Sequence, residues 1–309
     1  MIETAPYRRQ VLLLMRVLPI VAQEQCFALK GGTAINLFVR DMPRLSVDID
    51  LAYLPVLPRD ASLKEIDASL KNIAANIEKG VPDTKVRPSV LRGTDHAVKL
   101  VVSTRDAQIK IEVAPVLRGT VFPQQTRAVS EKVQNEFGFA EIALVSFEDL
   151  YGGKIVAALD RQHPRDLFDV RLLLANEGLT RDLFRAFLVY LISHDRPMSE
   201  IIAPKFRDIR HEFEHGFAGM AFDEVTREEL ETARKSLVEC VQNAFNDNDR
   251  ELLLSIKRGS PKWDLLQIDG VAALPAVRWK LQNLERLGEN KRDQLVEQLS
   301  KVLSKKGKE

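Results

Sequence analysis

The chain has 309 residues, 45% hydrophobic and 29% charged, which is enough material for one large domain or two of moderate size. Its 45 basic and 44 acidic residues leave a net charge of +1, so there is no global field for nucleic acid or membrane, and any polyanion site must be a local patch. No apolar run reaches membrane-spanning length, Cys26 and Cys240 read as reduced packing residues, and the five histidines show no zinc spacing, so the expectation is a cytoplasmic protein with no membrane association.

Residues from about Pro6 to Gln25 read as a helix. Within it Val11 to Met15 is too short, and too soon interrupted by Arg16, to be a good signal peptide. Phe27 to Leu29 reads as a short strand ending at Lys30-Gly31-Gly32, with a short helix over Thr33 to Val39. Leu45 to Tyr53 alternates as a strand does, ended by Pro55 and Pro58. Ser62 to Lys79 is helical by periodicity and closed by Gly80. Strands are predicted over Lys85 to Leu91, His96 to Ser103, Gln108 to Ala114 and Ile142 to Val145. From Ser146, an N-cap with Asp149 three residues on, every predicted element is a helix: 150–159, 165–176, 181–193, 227–244, 250–257 and 276–304. The lysines near the end (Lys301, Lys305, Lys306, Lys308) read as a solvated helix terminus. The fold class is therefore α/β plus all-α: a mixed-sheet domain over 1–145 and a helical domain over 146–309.

The strongest local pattern is Leu45 to Leu51. Leu45, Val47, Ile49 and Leu51 fall on one face of a strand, and Ser46, Asp48 and Asp50 on the other. The two carboxylates stand roughly 7 Å apart, and hard divalent cations take such oxygens, Mg²⁺ commonly using one or two carboxylates plus substrate phosphates. Asp-x-Asp alone does not separate a metal site from a solvated strand edge. Gly31-Gly32, between a strand and a helix start, adds a place where backbone can approach a phosphate closely. In Gln108 to Val113, Ile109, Ile111 and Val113 share one face and Lys110 and Glu112 the other, so Glu112 on a neighbouring strand is a candidate third metal ligand. A paired surface acid fits Glu112 equally well.

Further along, Lys154 and Arg161 lie near one helix face, His163-Pro164 breaks that helix, and Arg165 and Asp169 are spaced for an intrahelical ion pair. Gly152 and Gly153 are costly in a helix interior and imply close approach of another element or a ligand. Phe184, Phe187 and Tyr190 read as core. His211, Phe213, His215 and Phe217 alternate without acidic or cysteine partners and make a weak ligand signal.

Gly31-Gly32-Thr33-Ala34, Arg44-x-Ser46-x-Asp48-Ile49-Asp50-Leu51, Lys154 to Arg161 and Arg165-Asp166-x-x-Asp169 together resemble the AbiEii/AbiGii-type nucleotidyltransferases of the DNA polymerase β-like superfamily, which include the MenT toxins. The resemblance covers about residues 26 to 175. It implies a polymerase β-like N-terminal domain and a helical domain that completes the active site. It further implies that Asp48 and Asp50 bind Mg²⁺ or Mn²⁺, and that Gly31 and Gly32 face the triphosphate of an NTP. Thr33, Ser46, Arg165 and Asp166 would join the nucleotide site, Lys154 would contact phosphate, and Asp169, or alternatively Asp166, would be the late essential acid. Glu112 departs from the aspartate that many superfamily members carry. In some relatives the hydroxyl at the Ser46 position is phosphorylated by the antitoxin, and a phosphate beside two acids would disrupt the site by repulsion. The implied activity is NMP transfer to a hydroxyl such as the 3′ end of tRNA, by the toxin of a type IV-like toxin–antitoxin or phage-defence pair with its antitoxin encoded nearby. Nucleotidylation of a protein or small molecule, and a non-catalytic nucleotide-binding module, are the other readings.

Overall fold

The computed structural model describes residues 4–304; Met1-Ile-Glu and Lys305, Lys306 and Lys308 lie outside the described residues. The chain divides into two units. The first runs up to Ser146 and also takes in Gly219–Glu224; the second comprises Phe147–Ala218 and the chain from Val225 onward.

The first unit is built on a seven-stranded mixed sheet. Its strands are β1 (Phe27–Lys30), β2 (Ile49–Tyr53), β3 (Lys85–Val90), β4 (Ala97–Ser103), β5 (Gln108–Arg118), β6 (Gln125–Ala128) and β7 (Glu141–Leu144). The spatial order is β3-β4-β5-β2-β1-β7-β6, with β2/β5 and β1/β7 parallel and the other pairs antiparallel. Leu100, Val102, Ile109, Ile111, Ile49 and Leu51 are all essentially fully buried on one face. Helices α1 (Thr4–Val21) and α3 (Arg59–Gly80) pack against strands of this sheet, α3 burying Leu63, Ile66, Leu70, Ile73 and Ile77 at helical spacing. Helix α2 (Gly31–Ala34) leaves β1 and widens at once into a π turn over Ile35–Val39 rather than continuing as the expected α-helix. The wider turn ends where Arg40 N donates to Ile35 O at 2.8 Å and Met42 N to Asn36 O at 2.7 Å.

Three expectations for this unit change. The strand predicted from Leu45 begins only at Ile49, because the ladder with Lys30 and Ile111 begins there. Upstream, the chain pairs with a segment far off in sequence. Leu45 N donates to Met220 O at 2.8 Å, Phe222 N donates to Pro43 O at 3.0 Å, and Arg44 bridges Ala221. Asp48 thus stands just before β2, and Val47 is only partly buried. Strand β6 and helix α4 (Glu131–Phe137) were not foreseen: β6 is a polar, mostly exposed edge, and α4 buries only Val133.

In the second unit, α5 (Phe147–Arg161) crosses α7 (Arg181–Ser193), and α6 (Pro164–Asn176) packs on α10 (Arg227–Ala244). The short α8 (Met198–Ile202) and α9 (Arg210–Gly216) lie below the length that periodicity detects, while α11 (Asp247–Arg258) was foreseen in part. The single helix expected over 276–304 is two, α12 (Pro275–Glu285) and α13 (Glu289–Leu303), parted at Gly288, which provides the N-cap. Phe184 and Phe187 are fully buried, the former edge-on to Phe245 with ring centroids 5.0 Å apart, so they are core. Cys240 is exposed rather than packed.

His211 and His215 prove to be helical neighbours on α9, their rings 4.6 Å apart, at the i,i+4 spacing a metal site can use. Even so, no group of three or more His, Cys, Asp or Glu side chains placed to hold a metal occurs among the described residues. No described helix is long and apolar enough to cross a membrane.

Gly152 and Gly153 admit another element, not a ligand. A Cβ on Gly152 would sit 3.0 Å from Phe187 N and 3.1 Å from Ala186 Cβ, and one on Gly153 would meet the Tyr190 ring at 3.5 Å. Backbone cannot yield as a side-chain tip can, so Gly152→Ala is expected to lower unfolding stability by about 2 kcal/mol through overpacking. Urea titration of the variant checks this; an unchanged midpoint would show that α5 and α7 separate freely.

Candidate active site

On β2 the alternation places Asp50 on the face opposite Ile49 and Leu51, and the registers carry this face sideways: Lys30 on β1, Asp50 on β2 and Glu112 on β5 are direct neighbours. Asp48, on the approach to β2, has its backbone carbonyl held by Thr33 Oγ1 at 2.5 Å, and that hydroxyl also lies 3.2 Å from Ser46 Oγ. Thr33 is fully buried, and its hydroxyl braces the acid-bearing segment.

The two glycines explain how this segment sits. Gly31 has φ +78°, a region L side chains rarely adopt, and a Cβ there would lie 2.3 Å from Asp50 Oδ2. A Cβ on Gly32 would lie 2.7 Å from Ser46 Oγ and 2.9 Å from Arg44 Nη2. At Cβ level both glycines abut the protein's own carboxylate, hydroxyl and guanidinium. Arg44 carried no role in the sequence reading. It is 2% exposed and donates Nη1 to Leu45 O at 2.9 Å, tying down the stretch that Met220 and Phe222 hold from the other side. A buried arginine before a two-acid strand was the available signal.

Gly31→Ala is expected to cost about 1–2 kcal/mol of stability for the left-handed backbone and to cut turnover about 100-fold by displacing the Asp50 carboxylate. Melting curves and steady-state rates test the two effects separately; a variant with wild-type turnover would show that the seat of Asp50 is irrelevant.

The donor set suits a hard divalent cation: Asp48 and Asp50 are half-buried carboxylates, and Mg²⁺ needs one or two of these beside substrate phosphates. Those two residues would hold it. A bound cation would neutralise phosphate charge and activate the attacking hydroxyl. Glu112 stands beside Asp50 in register, but its Oε1 pairs with Lys99 Nζ at 2.6 Å, and the three acids do not form a metal-ready group.

In the second unit, Lys154 is not a surface lysine. It is 8% exposed, with Nζ 3.0 Å from Asp166 Oδ1 and 3.0 Å from Asp169 Oδ2. Arg161 adds Nε to Asp166 Oδ2 at 2.7 Å and Nη2 to Oδ1 at 3.1 Å. Asp169 therefore pairs with Lys154 on the preceding helix rather than with Arg165, the partner that helix spacing suggested, and Arg165 is exposed. Burial would push the Asp166 carboxyl up, but the Lys154 and Arg161 cations outweigh it and hold it at about 2.

A model of the AbiEii nucleotidyl transferase toxin family, from type IV toxin–antitoxin systems, matches residues 12–283. Among solved structures, the nucleotidyltransferase toxin MenT4 of Mycobacterium tuberculosis H37Rv shares the fold with a TM-score of 0.60. It is 14% identical, over 95% of this chain and 93% of that one. No curated protein matches. The chain has the α/β nucleotidyltransferase fold of that toxin and belongs to the AbiEii family of nucleotidyltransferase toxins.

Proposed function

We propose that this nucleotidyltransferase moves NMP from an NTP to the 3′-terminal hydroxyl of tRNA, using Mg²⁺ or Mn²⁺ at Asp48 and Asp50 and releasing pyrophosphate. The observation that carries the reading is Asp50 on the polar face of β2, seated against a glycine that has no room for a side chain, with Asp48 two residues before it. Lys154 as a phosphate contact, Asp169 as the late acid, and Arg165 and Asp166 in the nucleotide site belong to the same proposal, on the family's motif. So do a cytoplasmic setting, a role in phage defence and an antitoxin encoded nearby.

Incubation with labelled NTPs, Mg²⁺ or Mn²⁺ and total tRNA is expected to label RNA, and Asp48→Ala to abolish the signal. Label appearing only in protein or small-molecule fractions would move the acceptor to those classes. NTP and metal binding with no transfer to any fraction would leave a nucleotide-binding module.

A further inference from the structure

The registers place more than the two acids on the polar face of the sheet. One row across five strands reads Ser89, Lys99, Glu112, Asp50, Lys30. The next row, on β3, β4 and β5, reads Arg87, Val101, Lys110, and the third reads Lys85, Ser103, Gln108. The opposite face of β4 and β5 is the buried one, with Leu100, Val102, Ile109 and Ile111 no more than 1% exposed. Lys85, Arg87, Lys99 and Lys110 thus share one side of the β3-β4-β5 edge, and Lys85 and Arg87 are exposed. Lys99 pairs with Glu112, and no carboxylate partner occurs for Lys85, Arg87 or Lys110 among the described residues. Lys110 is diagonal to Asp50, at roughly 8 Å, and Lys85 and Arg87 follow each other along β3 at roughly 7 Å.

From this placement we infer that the β3-β4-β5 face is the docking surface for the phosphate backbone of the RNA acceptor, leading its end to Asp50; the inference rests on the nucleotidyl-transfer reading above. A chain whose net charge is +1 concentrates these cations on one exposed sheet face, which is the local patch a polyanion needs. Val101 is the only apolar residue in the three rows, so the face lacks the aromatic anchors of a protein interface. Rows of cations bind the phosphate backbone with little sequence preference.

The test is the triple variant Lys85→Ala, Arg87→Ala, Lys110→Ala, none of which belongs to the acid site, with a melting curve to verify the fold. Binding of a dye-labelled RNA hairpin with a single-stranded 3′ end is followed by anisotropy between about 50 and 300 mM salt. Loss of three phosphate contacts should lower the slope of log K against log salt by about 2 to 3, and weaken binding roughly 50- to 100-fold near 0.15 M. In the transfer assay KM for RNA should rise, with kcat and KM for NTP unchanged. Equal affinity and slope in the variant would overturn the docking surface, as would a wild-type protein that binds no RNA. Transfer by the wild type is read separately. If RNA binds with the expected slope change but receives no label, the surface stands and the RNA-transfer reading falls.

Discussion

Asp50→Asn is expected to lower nucleotidyl transfer by about 10³-fold or more while leaving unfolding stability little changed. The amide has the size of the carboxylate, so the contact against Gly31, where no Cβ fits, is preserved. What is lost is one hard anionic ligand and its charge beside Asp48. A thousandfold loss corresponds to about 4 kcal/mol of transition-state stabilisation, which is what a metal clamp on phosphoryl oxygens supplies. Preserved stability alongside an activity loss separates a metal role from a structural one. Thermal melts and single-turnover rates on the same preparation read both.

The second large effect is on stability. Lys154→Met should cost about 3–5 kcal/mol, because it removes a cation shared by two carboxylates that are 2% and 0% exposed. The double variant Lys154→Met, Asp169→Asn should recover part of this, since one of the two buried negative charges is removed with the cation. The pH dependence follows from Asp166. Its folded pKa, about 2, lies below the usual 3.8, so its contribution to stability is present above pH 4 and is lost as pH falls through 2. That contribution is about 2 kcal/mol by linkage. Without Lys154, burial of Asp166 is opposed by Arg161 alone, and the acid limb of unfolding should begin at higher pH. Urea unfolding between about pH 3 and 7 shows this; an unshifted acid limb would mean that Lys154 does not hold Asp166 charged.

Local periodicity made much of the fold legible. Helices α7 and α10 occupy the residues expected, because each has a continuous apolar stripe between a threonine N-cap and a clear stop. The apolar faces of β4 and β5 were equally plain. What failed was non-local or too polar. Residues 45–48 alternate like a strand, yet the chain there leaves the sheet to pair with Met220 and Phe222, which no local pattern announces. Strand β6 has no buried face to read. In the site, the side of β2 that carries Asp50 was readable from alternation, and Glu112 was placed on the neighbouring strand. The roles of the glycines were not readable, because what fills the space beside Gly31 and Gly152 comes from Asp50 and from α7. The partner of Lys154 escaped for the same reason: Asp166 and Asp169 lie on the next helix, beyond a break.

The central claim, that Asp48 and Asp50 form the centre of NMP transfer, is tested most directly by parallel reactions with α-labelled and γ-labelled NTP on wild type and Asp50→Asn. The account predicts α-label in the RNA acceptor, γ-label in pyrophosphate, and neither with Asp50→Asn. Label from the γ-position in the acceptor, or α-transfer by Asp50→Asn at the wild-type rate, would contradict it.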